Sequence, residues 1–358
     1  MARTHSRTRA RTDDPAPLLD EAANAFDQGR FDDVVSLAER ALQLDARSAP
    51  ARHFRAAGLV ETGRSDEAMQ EYERALRLAP NDPEILLGMA DLLIRRPGED
   101  RALVERGLAL CEKGRKLAGK ADDPELEFEF LLLEGTARNQ LGECAEAIEV
   151  LDEALAIAPD SPDAALERAI ALFELCRFDE AHRALKKVIQ QAPDEPWGHH
   201  YLGLIAERRR DAREAKKHLA RAQALSPDEF PPPVRLDDDE FDRAVEDAIA
   251  QLPNHVKQYL ENATIAVEPI PSDEDLTSSD PPLSPSILGV FRGTPVGERS
   301  VTNAFDHFPA SIVLYQRNLE RFARNREELI EQIGITLMHE VGHLIGLDEH
   351  DLWERGLE

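Results

Sequence analysis

One spacing constrains this chain more than any other feature. The stretches "GRFDDVVSLAERALQLD" from Gly29, "GRSDEAMQEYERALRLAP" from Gly63 and "GECAEAIEVLDEALAIAP" from Gly142 are versions of a single pattern, and "CRFDEAHRALKKVIQQAP" from Cys176 and "RDAREAKKHLARAQALSP" from Arg210 repeat it. Val34 and Ala68 stand 34 residues apart, as do Ala147, Ala181 and Ala215, and Pro159, Pro193 and Pro227 keep the same step. A period of this length describes a supersecondary unit that cannot bury its apolar face alone and stacks on its neighbours. Ala147 comes 79 positions after Ala68, two repeats with 11 to spare. The excess falls in "RRPGEDRALVERG" and "KLAGKADDPELE", as lengthened helices or a longer loop.

Each unit reads as a helix, a turn and a second helix. Ala56, Ala68 and Ala75 sit where helices must approach closely, and Tyr72 fills the space between neighbours. Pro80 ends the second helix, because it lacks a donor and disfavours helix before it. Leu202, Gly203, Ala215 and Ala222 repeat the arrangement in the sixth unit. With aromatics at only 5%, packing must rest on small and aliphatic side chains. These spacings resemble the tetratricopeptide repeat. The resemblance implies an all-α solenoid of about six repeats over residues 15–228, whose groove takes a protein or peptide ligand.

"SPDEFPPPVRLDDDEF" breaks the period, and Pro231–Pro233 mark a semi-rigid linker over 229–238. Beyond it, over 239–358, the texture changes to a small α+β domain. "FDRAVEDAIAQL" reads as an amphipathic helix, and "ATIAVEPIP", "SILGVFRG" and "ASIVLYQR" as three strands. The polar, proline-rich loop 271–286 is expected to be loosely held. One long helix follows, capped by Asn325 with Glu328 and buried along Leu329, Ile330, Ile333, Leu337, Val341, Leu344 and Ile345.

A formal net charge of -27 argues against nucleic-acid binding, which needs a basic face. Cys111, Cys144 and Cys176 form no disulfide framework, so a reducing, cytoplasmic setting is expected. The N-terminal "MARTHSRTRARTDD" is read as a disordered arm over residues 1–14, and no signal peptide, membrane span or membrane partner is expected. The oligomeric state is open.

Near the end of the long helix stands "HEVGHLIGLDEHD". His339 and His343 are one helical turn apart, so both imidazoles share a face and can hold one tetrahedral ion, zinc being the expected cofactor. Glu340 lies beside the open coordination position, suited to serve as general base toward metal-activated water and then to protonate the leaving amine. Gly346 can adopt positive φ and turn the chain back. Glu349 then stands at the spacing of a third ligand, with Asp348, His350 and Asp351 as flanking alternatives. No tyrosine follows the motif, so a transition-state donor is sought upstream in Tyr315, with His307 and Arg317 as further candidates. The hydrophobic floor below the metal is likewise expected from upstream segments.

From about Phe241 to the end, these strands and the helix carrying the motif resemble the small bacterial zincin-like metallopeptidases, or minimal zincins. The resemblance implies helices on a small sheet, His339, His343 and Glu349 as ligands and Glu340 as base. Two functions compete: a zinc metallopeptidase carrying a protein-interaction module, and a non-catalytic repeat adaptor whose terminal domain binds metal only structurally.

Overall fold

The computed structural model describes residues 14–95, 100–261, 263–295, 310–348 and 351–352, without the side chain of His255. Contacts divide the chain into two compact units, 1–171 and 172–358. The first unit is helical. It contains α1 (Ala16–Asp27), α2 (Phe31–Leu44), α3 (Ala49–Glu61), α4 (Ser65–Leu78), α5 (Pro83–Arg95), α6 (Arg101–Ala121), α7 (Pro124–Gln140), α8 (Cys144–Ile157) and most of α9 (Pro162–Glu174).

Consecutive helices pack as pairs. Ala56, Ala68 and Ala75 are fully buried, and Tyr72 packs among them with Ile85, Met89 and Leu93. The irregular unit resolves into two long helices. α6 has 21 residues where α4 has 14, and α7 has 17 where α3 has 13, which accounts for the 11 extra residues. The turn inside a repeat needs a left-handed residue, and Gly29, Gly63 and Gly142 supply it at φ +67°, +76° and +78°.

The second unit continues the repeat with α10 (Phe178–Gln191), α11 (Pro196–Arg208) and α12 (Ala212–Leu225). Here Cys176 and Arg210 occupy the left-handed turn position at φ 58° and 59°. A side chain in that conformation costs about 1 kcal/mol or more, which the packing of Leu202, Ile205, Ala215 and Ala222 offsets.

The rest of this unit is the α+β part: α13 (Asp238–Gln251), α14 (Asn254–Leu260), β1 (Thr264–Glu268), α15 (Asp273–Leu276), β2 (Gly289–Arg292), β3 (Ser311–Tyr315), α16 (Gln316–Phe322) and α17 (Arg326–Leu344). The sheet order is β1-β3-β2, with β1 parallel and β2 antiparallel to β3. All three strands lie inside the stretches the sequence marked. Ile312 and Leu314 of β3 join Phe241, Ala244 and Ala248 of α13 and Leu329, Ile333, Leu337 and Val341 of α17 in one core. Strand alternation assigns Ile312 and Leu314 to the face that meets α17, and Val313 and Tyr315 to the other.

The last repeat is bonded to the α+β part. Glu207 of α11, its side chain 8% exposed, accepts from Arg317 at 2.6 Å and from Arg321. Arg208 donates to Asp273 at 2.6 Å and to the Pro271 carbonyl at 3.1 Å. Between the two parts, Val234 N–H donates to the Glu320 carbonyl at 2.9 Å. Loop 271–286 is more firmly held than its composition suggested. Ser272 caps α15, Leu283 N–H donates to the Leu276 carbonyl at 2.8 Å, and the Asn318 amide holds the Pro285 and Ile287 carbonyls at 3.0 and 2.7 Å. The Asn318 contacts come from more than 30 residues away, so composition alone does not register them. No described helix is long and apolar enough to cross a membrane.

Candidate metal centre

The site is built by the last turn of α17. The Asn325 side chain accepts from Glu328 N–H at 3.0 Å, while the Glu328 carboxylate reaches back to Arg324 N–H at 2.8 Å. This start sets the helix phase, and burial of Leu329, Ile333, Leu337 and Val341 holds it. His339 and His343 follow on one side. Their Nε2 atoms lie 3.2 Å apart, with ring centroids at 4.8 Å and planes at 82°.

His343 Nδ1 lies 3.1 Å from the Leu347 carbonyl. A carbonyl only accepts, so Nδ1 carries a proton, and the neutral tautomer with that proton has its lone pair on Nε2. That second partner fixes ring and tautomer as ligand histidines require. It depends on the turn after the helix. Gly346 N–H donates to the His343 carbonyl at 3.0 Å and Leu347 N–H to the Gly342 carbonyl at 3.0 Å, with Gly346 at φ +90°. This is a Schellman closure, and a side chain at Gly346 would be strained. Ile345, just past the helix end, is only half-buried. The chain then folds back: Leu352 is fully buried and packs on Gly342. Packing at this helix end therefore draws on a residue after the motif as well as on upstream segments, because the turn is tight enough to return the chain within a few residues.

Glu340 is 5% exposed. Its neighbour is β2. A Cβ added at Gly289 would stand 3.5 Å from Glu340 Cγ and 2.6 Å from Thr336 Cγ2, so only glycine lets this strand lie against the helix. Among the described residues β2 is an edge strand. A strand edge without a partner among those residues, beside a buried carboxylate and two converging imidazoles, suits a peptide bound in extended form. Sequence reasoning could not bring Gly289 to Glu340. An isolated glycine in a strand pattern signals a close approach without saying to what.

The other expected residues fall in different places. Glu349, His350 and His307 lie outside the described residues. The Asp348 carboxylate accepts from Asp351 N–H at 2.8 Å. Tyr315 is fully buried on the sheet face away from α17, and its hydroxyl donates to Asp275 at 2.9 Å. Burial, then that bond, pushes its pKa up. Asp275 also accepts two bonds from Arg292 at 2.6 Å and one from the Ser272 hydroxyl at 2.7 Å. Burial would raise the Asp275 carboxyl, but these donors outweigh it and hold it at about 2. Arg317 is engaged by Glu207. Neither Tyr315 nor Arg317 is brought to the histidine pair.

Among the described residues no group of three metal-ligating side chains converges. Two ligands do fit. A tetrahedral ion bound at about 2.0–2.1 Å to each of two nitrogens keeps them roughly 3.3 Å apart, close to the 3.2 Å found here.

Two parts of the chain match models of known families. Residues 260–357 match the family model for zincin-like metallopeptidases, and residues 25–92 and 139–207 match that for the tetratricopeptide repeat. Among solved structures, PilW, a type IV pilus biogenesis factor, is 20% identical with a TM-score of 0.51, covering 60% of this chain and 94% of that one. An APC/C hetero-tetramer gives 16% and 0.51, covering 61% of this chain and 41% of that one. Pseudomonas aeruginosa PilF gives 17% and 0.49, covering 60% and 92%. At these identities the likeness is one of fold. No curated protein matches the chain.

Proposed function

From a chain that carries tetratricopeptide repeats and a zincin-like metallopeptidase domain, we propose a zinc-dependent peptidase with an attached protein-interaction module. The observation that carries this reading is the convergence of the His339 and His343 Nε2 atoms at 3.2 Å on the same helical turn as buried Glu340.

In this reading His339, His343 and Glu349 hold the ion. When bound, zinc supplies Lewis acidity that polarises a carbonyl and acidifies water. The Leu347 carbonyl keeps the His343 ring in its ligand tautomer. Glu340 takes the proton from the attacking water and delivers it to the leaving amine nitrogen as the peptide bond breaks. Its burial suits a base that must act without competing solvent. The edge of β2 orients the substrate as an added strand across Glu340. The repeats raise the local concentration of the protein to be cut. Cys111, Cys144 and Cys176 form no disulfide, which favours work in a reducing, cytoplasmic setting.

The test combines zinc analysis of the purified full chain with cleavage of a peptide library. Wild type is expected to bind one zinc and to cleave. Glu340→Gln should keep the zinc and lose about 10²–10⁴-fold in rate. Zinc retention without any wild-type cleavage would leave the adaptor as the correct description.

A further inference from the structure

A groove of about 1300 Å³ runs through the second unit, larger than a site for one small molecule. Its walls come mainly from α11, α12, α16, the 229–235 segment, the turn after β1 and the segment that leads into β2. Three features define what it accepts.

The first is charge. In a chain of net charge -27 the groove is lined by more cations than anions. The cations are Arg208, Arg210, Lys216, Arg235, Arg317 and Arg321, against Glu207, Glu229, Glu268 and Asp273. Most of these charges are paired with one another or with a neighbour, Glu207 with Arg317 and Arg321, Asp273 with Arg208, Glu268 with Arg292 and Arg235 with Glu320, which leaves Arg210 and Lys216 against Glu229 among the described residues. Arg210 and Lys216 are exposed and have no carboxylate partner among the described residues.

The second is apolar surface. Phe322 is 53% and Trp197 36% exposed, and Phe230 stacks on His200 beside them. Pro231, Pro233, Pro269 and Pro271 add walls whose φ is locked, so little ordering is paid on binding.

The third is continuity with the site. Leu288 lines the groove, and the next residue, Gly289, opens β2 and lies against Glu340. Asn318 anchors this path through the Pro285 and Ile287 carbonyls.

We propose that the groove is an exosite for an extended acidic segment of the substrate protein, with Asp or Glu interleaved with aromatic or branched apolar residues. The segment passes along β2 to the bond that is cut. This deepens the peptidase reading and rests on it for the role of Glu340, but the binding step is testable without catalysis.

The probe is a short fluorescein-labelled peptide of Asp, Glu, Leu and Phe, with a counterpart carrying Lys at every acidic position. Anisotropy with the full-length Glu340→Gln chain is expected to show binding of the acidic probe. The Lys counterpart, the double variant Arg210→Glu/Lys216→Glu and the single variant Phe322→Ser should each weaken it by about tenfold. Added salt should weaken it further, and a chelator should leave it unchanged. No binding of the acidic probe, equal binding of both probes, or an unchanged Kd in the double variant overturns the proposal. A longer substrate that joins the acidic segment to a cleavable one separates the two readings. Binding without Glu340-dependent cleavage keeps the exosite and removes the peptidase. Glu340-dependent cleavage at the same rate in the double variant keeps the peptidase and removes the exosite.

Discussion

Among its described residues the second unit contains two pairs of facing histidines, and they meet through different ring nitrogens. His199 of α11 and His218 of α12 meet through their Nδ1 atoms at 2.9 Å. His199 Nε2 donates to the Pro193 carbonyl at 3.1 Å, so its Nδ1 accepts the proton of His218 Nδ1. That pair is an ordinary hydrogen bond that ties two helices of a repeat together. His339 and His343 meet instead through Nε2, the atoms farthest from the backbone, at 3.2 Å and within one helix. One ring is anchored behind by Leu347, a buried glutamate stands beside them, and a glycine turn returns the chain. Closeness alone does not distinguish the two pairs. The nitrogen presented, and what holds the ring from behind, do.

Removing one member of each pair tests this contrast most severely. His343→Ala is expected to lower zinc affinity by more than the roughly 10–100-fold typical of losing an outer partner of a ligand. His218→Ala should leave zinc stoichiometry unchanged. Metal titration of both variants reads the difference, and equal loss in both would erase it.

Acid distinguishes the two regions next. His200 adjoins His199 and stacks on Phe230, and burial, with Arg321 adding, pushes it down to about 4. An unfolded histidine protonates near pH 6.5. The folded chain resists that proton, so stability present above about pH 6.5 is lost as pH falls toward 4, by about 3 kcal/mol in all. Denaturant melts across that window should show the slope in wild type and a flatter one in His200→Phe. The same slope in both would mean that other groups carry the acid response.

The smallest expected effect is at the turn. Gly346→Ala places a side chain at φ +90° and should cost about 1 kcal/mol, a drop of roughly 2–4 °C in Tm. Because the Leu347 carbonyl holds His343, zinc affinity should fall several-fold as well. Unchanged affinity with a lowered Tm would separate the turn from the ring it supports.

Much of this site could be read in advance because its parts are local. A four-residue step on a helix, a cap at Asn325 and a glycine at the helix end are matters of short-range geometry, and each is where the spacing placed it. Tyr315 shows the opposite case. Its residue type made it a candidate donor, while Asp275, 40 residues away, takes its hydroxyl on the far side of the sheet. No periodicity records such a partner.

What the sequence by itself determined is therefore the repeat, its small-residue packing, the three strands and the paired imidazoles, since backbone periods of 34, 2 and 3.6 residues are written directly in the order of side chains. What only the tertiary structure decided is which polar groups are already satisfied, that β2 lies against Glu340 at Gly289, and that the last repeat is bonded to the α+β part through Glu207. Those outcomes depend on contacts between residues distant in the chain. Packing geometry selects them from many pairings that the same side chains would otherwise allow.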